Sequence, residues 1–329
     1  MYIENYGNLL IHRRMLADGV RCNTYQQAIS KFVTRGSVVA DVGAGTGIMA
    51  IFAAQAGATK VYAIEPTRTI EIAKKLAQSN GLSNRIEFIQ ANMEEVNLPE
   101  KVDVIISEWI GSYGDEENLL TGVLTFRDKW LKSGGHLLPE RLTTMIALVE
   151  DKVTSTNMAF WQSKPYGIDL SLIAQAMGNE LFFIDHDILP QNFLASPKSA
   201  WTHDAYASTI EEVKGDFSTK LQFTIEKAGM LSCIVAWFDA DIGNATYLTN
   251  APGNPKTHWR LAMFPVLPER KVTPGMVVDV EFRSTPGGLG FRHTSCTVSS
   301  EEEIWCDHNT NRVQLPDNSA FTFLYPNFS

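Results

Sequence analysis

Residues 39–48 read Val39-Ala-Asp-Val-Gly-Ala-Gly-Thr-Gly-Ile48, and this stretch decides the fold. An apolar strand, predicted over residues 37–42, runs directly into three glycines and then into a helix predicted over 48–56. Glycine allows the backbone to turn sharply and lets a ligand approach more closely than a β-carbon would permit. The stretch therefore predicts a ligand site where a strand passes into a helix.

The segments on both sides of this turn continue the same alternation. Strands are predicted at 60–64, 86–90 and 102–107, with a helix at 69–80, and residues 2–31 carry the spacing of helices. Alternating strands and helices indicate a parallel sheet with right-handed crossovers. The first part of the chain, residues 1–139, is therefore predicted to be N-terminal helices and a Rossmann-like α/β domain.

The pattern changes after Pro139. Short alternating strands separated by Pro, Gly and Asn follow, and a helical period remains only around residues 169–177. Residues 140–329 are therefore predicted to form a mainly β domain. Its predicted strands are 143–149, 219–225, 233–238, 259–264 and 277–282.

Composition excludes several classes of partner. A chain of 329 residues suits two packed units, and a net charge of −9 with a pI near 5.3 argues against binding to nucleic acid. Four scattered cysteines show no metal-binding spacing, which favours reduced thiols in a cytoplasmic protein without a metal. We also expect no signal peptide and no membrane span.

An acidic residue completes the predicted ligand site. Glu65 ends the next predicted strand, 22 residues after Gly43, where a carboxylate accepts hydrogen bonds from ribose hydroxyls. The spacing is G-x-G-x-G, with Asp41 before the first glycine, and this suits a nucleoside with an amino-acid tail better than a dinucleotide. A dehydrogenase is therefore disfavoured. Met93 and Glu94 follow the third strand, where they would meet an adenine face and its amine.

Two further carboxylates mark a chemical site. Glu108 ends the strand predicted over 102–107, and Glu117 follows nine residues later in the run Asp115-Glu116-Glu117. Carboxylates aimed into one pocket repel each other unless a cation lies between them. A guanidinium matches them, since its planar fork binds carboxylates in a bidentate manner. The alternative interpretation is a solvated acidic turn.

The chemistry of arginine explains the need for two carboxylates. A guanidinium stays protonated, with a pKa above about 12, and its charge is spread over three nitrogens. Carboxylates on two sides would hold that charge away from the nitrogen that faces a methyl donor. His258, predicted at the start of a strand, could accept the departing proton or orient a carboxylate, although a histidine beside a tryptophan is more often structural.

The order of these signals resembles the protein arginine methyltransferase family along essentially the whole chain. Each motif alone is weak evidence, but here seven occur in the family's order. The matching segments are Tyr2-x-x-x-Tyr6 with Ile11-His12 and Met15-Leu16, the 39–48 stretch, Ile64-Glu65, 101–111 with Glu117, 127–131, Trp161 with 166–169, and Thr257-His258-Trp259.

The resemblance implies a fold, a cofactor and a set of site residues. The fold would be an α/β domain followed by a β-barrel, with a helical arm near residues 155–180 that forms a homodimer. The cofactor would be S-adenosyl-L-methionine, with S-adenosyl-L-homocysteine as product. The implied cofactor-binding residues are Tyr6, His12, Met15, Arg21, Asp41, Gly43, Gly45, Gly47, Glu65, Met93 and Glu94. Tyr2, Tyr6, Glu108, Glu117 and Trp259 would form the arginine pocket, and Asp18 would pair with His258.

The loop between the two glutamates departs from the family. The loop is polar and acidic, as in family members that make symmetric dimethylarginine, whereas Met15 is typical of members that make asymmetric dimethylarginine. The sequence therefore does not decide between monomethyl, symmetric dimethyl and asymmetric dimethyl products. Because the sequence starts almost at Tyr2, we also expect no N-terminal extension that grips a polypeptide. Asp115 and Glu116 could bind the α-amine of free L-arginine, so protein arginine and free arginine both remain open. Two further alternatives are a methyltransferase for another small nucleophile and a non-catalytic scaffold.

Overall fold

The computed structural model describes residues 7–177, 180–287, 291–310, 313–314 and 320–321. Two helices open this part of the chain, α1 (Leu9–Ala17) and α2 (Gly19–Phe32). Asp18 lies between them, and its Oδ1 accepts a hydrogen bond of 2.9 Å from the backbone N–H of Arg21. A side-chain cap of this kind satisfies one of the otherwise unpaired amides at a helix start. The cap therefore fixes where α2 begins and where the chain turns.

A five-stranded parallel sheet follows, in the order β3-β2-β1-β4-β5. This order and the intervening helices confirm the predicted Rossmann-like half. The strands are rich in valine and isoleucine because helices cover the sheet. Its elements are β1 (Val38–Val42), α3 (Ile48–Ala56), β2 (Lys60–Ile64), α4 (Ile70–Ser79), β3 (Ile86–Ile89), β4 (Val102–Ser107), α5 (Leu120–Trp130) and β5 (Leu131–Leu138).

The rest of the described chain is mainly antiparallel, as predicted. One sheet has the order β7-β12-β10-β6-β8 with β11 on β10, and another has the order β15-β14-β13-β9. A short pair, β16 with β17, follows. The strands are β6 (Arg141–Val149), β7 (Phe182–Ile184), β8 (Lys198–Asp204), β9 (Phe217–Thr224), β10 (Gly229–Asp241), β11 (Tyr247–Thr249), β12 (Leu261–Val272), β13 (Val277–Pro286), β14 (Arg292–Ser300), β15 (Glu303–Asn309), β16 (Val313–Gln314) and β17 (Ala320–Phe321).

Among the described residues of the β half, three α-helices interrupt the strands: α6 (Lys152–Gln162), α7 (Ser171–Met177) and α8 (Ile210–Lys214). Only α7 was predicted from periodicity. Helix α6 is rich in Ser and Thr, which favour helix interiors weakly. It begins where it does because the Asp151 carboxylate accepts hydrogen bonds from the amides of Val153 and Thr154.

One apolar core joins the two halves. The cluster around β1 and β4 continues into Leu142, Phe238 and Trp259 of the β half. A second cluster, which includes Phe264 and Phe282, fills the space between the antiparallel sheets. The loop that follows β4 lies between these cores, since Trp109 belongs to the first and Tyr113 to the second. No helix in the described part of the chain is both long and apolar enough to cross a membrane.

Candidate functional site

The glycine turn after β1 has the backbone that its sequence predicts. Gly43, Gly45 and Gly47 have φ values of +75°, +53° and +79°, which residues with a β-carbon rarely adopt. The amides of Gly43 and Ala44 both donate to the carbonyl of Ile64, at 2.9 Å each. The turn is therefore fixed to the end of β2, and Gly43 and Gly45, though not Gly47, are among the described residues that line a cavity beside it.

Glu65 is held at that cavity by backbone amides. Its Oε2 accepts from the N–H of Gly45 and its Oε1 from the N–H of Thr67, both at 2.9 Å. The residue is 5 % exposed and lines the cavity. A carboxylate oxygen can accept more than one hydrogen bond, so this orientation leaves acceptor capacity for a ligand.

Asp41 lies beneath the glycine turn. Its Oδ2 accepts a hydrogen bond of 2.8 Å from the amide of Ala50, in the first turn of α3. Burial, assisted by the nearby carboxylate of Glu65, raises the pKa of Asp41 to about 7. Its side chain thus ties the turn to the helix that follows, and it also reaches the cavity wall.

Helix α1 covers one side of the cavity. His12, Met15 and Leu16 line it, and His12 is so close to Gly45 that a β-carbon there would lie 2.8 Å from its Cε1. Met93 and Glu94 line it too, as predicted. A β-carbon on Gly122 would lie 2.5 Å from the Glu94 carboxylate. Bare glycines on two sides therefore allow these cavity walls to approach.

Arg21 and Glu108 contact each other in this cavity. The Nε and Nη2 atoms of Arg21 donate to Glu108 Oε2 at 3.1 and 3.0 Å, and the amide of Ile110 donates to Oε1 at 2.9 Å. Burial opposes the charge of Arg21, but Glu108, Tyr25 and Cys22 together outweigh it, so the pKa of Arg21 is raised. Glu117 lines the same cavity. The two predicted carboxylates are thus brought together beside the glycine turn.

Asp18 pairs with His258, as the resemblance implied. Asp18 Oδ2 lies 2.8 Å from His258 Nδ1 and accepts from the His258 amide at 2.7 Å. Although burial raises the pKa of Asp18, the hydrogen bonds from His258 and Arg21 bring it below its usual value. The pair joins the α1–α2 corner to the β half and so holds α1 over the cavity.

His258 and Trp259 do not begin a strand, which corrects the prediction for 259–264. Strand β12 starts only at Leu261, because the Trp259 indole turns away to donate to the carbonyl of Ile110 at 2.8 Å. Neither His258 nor Trp259 is among the described residues that line the cavity. Trp259 supports the loop that carries Glu108 from outside the cavity, whereas His258 contacts Asp18.

Asp115 and Glu116 also lie outside the cavity lining. Asp115 accepts from the Trp201 indole at 3.2 Å and lies 3.3 Å from the Nε of Arg292. Glu116 accepts from the amides of Ser112 and Tyr113. The structure thus places both acids against the hairpin and the barrel.

The predicted site residues and the residues of the cavity do not coincide fully. Tyr2 and Tyr6 lie outside the described residues. Several cavity residues were not predicted, although all follow strands β1 to β4 or lie close to them in sequence, which is the signal that could have found them. These are Ala44, Thr46, Ile48, Met49, Pro66, Thr67, Asn92 and Leu119.

Comparison with known proteins agrees with this geometry. Residues 39–135 match the model of a methyltransferase domain, and residues 140–301 match that of the arginine methyltransferase oligomerization subdomain. The chain is 34 % identical to protein arginine N-methyltransferase 6 of Danio rerio, over 91 % of this chain and 88 % of the relative. The chain belongs to the protein arginine methyltransferase family. Family membership confirms the predicted enzyme class, an S-adenosylmethionine-dependent arginine N-methyltransferase.

Solved structures of other family members have the same fold. The PRMT1 enzyme–prozyme complex of Trypanosoma brucei with AdoHcy superposes with a TM-score of 0.83 at 25 % identity, and covers 92 % of this chain and 99 % of that one. Protein arginine methyltransferase 10 of Arabidopsis thaliana superposes with a TM-score of 0.79 at 26 % identity, over 94 % and 99 %. The predicted architecture, an α/β domain followed by a barrel-like β domain, is confirmed.

Proposed function

We propose that this arginine methyltransferase methylates a guanidino nitrogen of arginine residues in proteins, held between Glu108 and Glu117. The observation that carries the proposal is that both carboxylates line the cavity formed by the glycine turn and Glu65. Two acids in one cavity create a strong preference for a cation, and the guanidinium is the protein cation whose shape fits a pair of carboxylates.

The residues of the cavity fit S-adenosylmethionine. The glycine turn leaves room for a ligand against the backbone, and the fixed carboxylate of Glu65 suits two ribose hydroxyls. Met93 and Glu94 would receive the adenine, and the Arg21 cation would attract the carboxylate of the amino-acid tail. His12 and Met15 would cover the ligand from α1. When bound, S-adenosylmethionine supplies an electrophilic methyl group on its sulfonium.

The chain's own residues orient and polarise the arginine. Arg21 and the amide of Ile110 hold the two oxygens of Glu108, so this carboxylate does not have to reorganise when substrate binds. Together, Glu108 and Glu117 would draw positive charge toward the nitrogens they contact and leave the third nitrogen as the nucleophile. The proton released by that nitrogen passes to the carboxylate pair. We assign His258 a positioning role, through Asp18 and α1.

Protein arginine is favoured over free arginine by the positions of the extra acids. A free amino acid needs a carboxylate for its α-amine, and Asp115 and Glu116 were the candidates. Their side chains are instead engaged by Trp201, Arg292 and the hairpin amides. They would have to leave these partners to reach an α-amine, at the cost of burying unpaired groups.

A mass-spectrometric assay tests the substrate. The enzyme, with S-adenosylmethionine, is given an arginine–glycine-rich peptide and free L-arginine in parallel reactions. We expect methylation of the peptide, and fragment ions will distinguish monomethyl, symmetric and asymmetric dimethyl products. Methylation of free arginine alone would overturn the assignment of protein arginine. Methylation of neither, with S-adenosylmethionine bound, would favour a different nucleophile or a scaffold.

We further propose that the protein forms a homodimer through the arm at residues 155–180. Large apolar side chains are exposed along this segment, and contiguous exposed apolar surface is typical of an interface. Tyr166 is the most exposed, at 93 %. Sedimentation velocity tests this, since Tyr166→Asp should shift a dimer toward the monomer. The exposed apolar residues of the arm are Phe160, Tyr166, Ile168, Leu172 and Ile173.

We also propose a cytoplasmic location, which rests on the four free cysteines.

A further inference from the structure

The hairpin of residues 111–117 carries Glu117, and the barrel holds it at many points. The Asn250 side chain donates to the carbonyl of Ser112 at 2.7 Å, and the Tyr113 hydroxyl lies 2.8 Å from the Thr294 hydroxyl. Despite its polar sequence, most of the hairpin is buried, with Asp115 at 5 % and Glu116 at 9 % exposure. The polar residues therefore face protein, and each buried polar group needs a partner there.

Asp115 has the densest set of charged and polar partners. Its Oδ1 accepts from the Trp201 indole at 3.2 Å, and its Oδ2 lies 3.4 Å from His203 Nε2 and 3.3 Å from Arg292 Nε. Burial raises its pKa, but His203, Arg292 and Trp201 together hold the pKa below its usual value. Asp115 is thus a buried carboxylate that keeps its charge.

Arg292 is itself fixed by carbonyl oxygens. Its Nη1 donates to Val213 at 3.0 Å, and its Nη2 donates to Gly215 at 2.6 Å and to Ser284 at 3.1 Å. Its Nε also donates to the Ser284 hydroxyl at 2.8 Å, and its guanidinium lies over the ring of Phe217. Since α8, β9 and β13 all contribute contacts, the guanidinium has one position relative to the barrel.

Backbone contacts transmit this position to Glu117. The amide of Arg292 donates to the carbonyl of Glu116 at 2.9 Å, and the amide of Asn118 donates to the carbonyl of Asp115 at 2.9 Å. The peptide units on both sides of Glu117 are therefore tied to Asp115 or Arg292. Asn118 also has a positive φ of 54°, so this turn has little freedom to adjust.

We propose that the buried pair of Asp115 and Arg292 positions Glu117 for methyl transfer. The inference rests on the proposed function, because it concerns the same reaction. A buried ion pair is no more stabilising than well-packed apolar residues of similar volume, so stability alone does not account for it. The hydrogen bonds that Asp115 and Arg292 make to the barrel and the hairpin do fix a geometry, and misplacement of a reacting group by about 1 Å can cost about a hundredfold in rate.

Two variants test the proposal. Asp115→Asn keeps the shape and the acceptor for Trp201 but removes the charge, and Arg292→Lys keeps a charge but loses the forked contacts. Arg270→Gln is the matched control, since Arg270 pairs with Glu303 at 3.2 Å on the same barrel. For each protein, kcat and KM for the peptide, the dissociation constant of S-adenosylmethionine and the Tm are measured.

We expect Asp115→Asn to lower kcat by about tenfold or more, with the dissociation constant of S-adenosylmethionine within about twofold of wild type. Hydrogen exchange of the peptide containing residues 109–119 should be faster in the variant. The control Arg270→Gln should change neither kcat nor this exchange rate. Arg292→Lys should show the same pattern, and the double variant should lose less than the product of the two effects.

Three results would overturn the inference. These are unchanged kcat in a folded Asp115→Asn protein, loss of kcat only in step with loss of cofactor affinity, and equal losses in Arg270→Gln. If Asp115→Asn does not fold, the milder variant Trp201→Phe, which removes one hydrogen bond to Asp115 and keeps an aromatic ring, gives the same readout. Absence of turnover in the wild type would instead count against the proposed function, so the two failures are distinguishable.

Discussion

Replacing Glu116 with Gln should stabilise the protein, and the gain should grow as the pH rises from about 5 to 8. Burial, reinforced by the adjacent Glu117 carboxylate, raises the pKa of Glu116 from 4.5 to about 8. In the unfolded chain the carboxyl ionises near its ordinary pKa, whereas in the folded protein it stays protonated up to about pH 8. Glutamine is neutral in both states, so the variant lacks this pH dependence.

The magnitude follows from the two pKa values. Below pH 4.5 both states hold the proton, and Glu116 contributes no pH dependence. Between the two values the unfolded state binds fewer protons, so the free energy of unfolding falls by about 1.36 kcal/mol per pH unit. From 4.5 to about 8 the interval is about 3.5 units, which gives an upper bound of about 5 kcal/mol. The difference between variant and wild type should therefore widen up to pH 8 and stay constant above it.

Urea unfolding at pH 5, 6.5 and 8 measures this difference. The exposed Glu95 provides the control, since Glu95→Gln should leave the free energy of unfolding unchanged at all three pH values. Asp41, whose pKa is also raised, affects wild type and variant equally and cancels in the comparison. A stability difference that is the same at pH 5 and pH 8 would refute the assignment of a protonated Glu116.

Three further predictions concern the site. Glu117→Gln should lower kcat by about a hundredfold or more, as for loss of a transition-state interaction, with cofactor binding measured by calorimetry largely intact; unchanged turnover would exclude the two-carboxylate mechanism. Gly45→Ala should weaken S-adenosylmethionine binding by about tenfold or more, because the new β-carbon meets His12. The control Gly81→Ala, which is also at positive φ but faces open space, should leave binding unchanged. Equal affinities of the two variants would argue against a ligand at this turn. Asp18→Asn should lower the Tm near pH 7, because the hydrogen bonds that lower the pKa of Asp18 stabilise its ionised form. The difference should shrink as the pH falls below about 4, and a difference independent of pH would contradict a stabilised Asp18 carboxylate.

The cavity around the glycine turn was predictable because its determinants are local. A glycine turn, the strand before it and the helix after it are adjacent in sequence, and the structure places α3, β2 and β4 at their predicted residues. Parallel sheets bring the ends of successive strands to one edge, so Glu65, Met93 and Glu108 converge on the turn by topology alone. The predictions for this region needed no knowledge of tertiary packing.

The hairpin between the glutamates shows where such reasoning stops. A run of three acids predicts a solvated loop or a cation site, since burying carboxylates without partners is unfavourable. The partners exist, but they lie on distant strands: Trp201 on β8 and Arg292 on β14. Nothing in the spacing of residues 111–117 indicates them, because barrel closure alone brings these strands to the loop. Asp115 therefore has the charge expected of a substrate contact, but it is buried among residues of the barrel that hold the hairpin. A buried, satisfied acid next to a proposed catalytic one is best tested for its effect on that neighbour before it is assigned a ligand of its own.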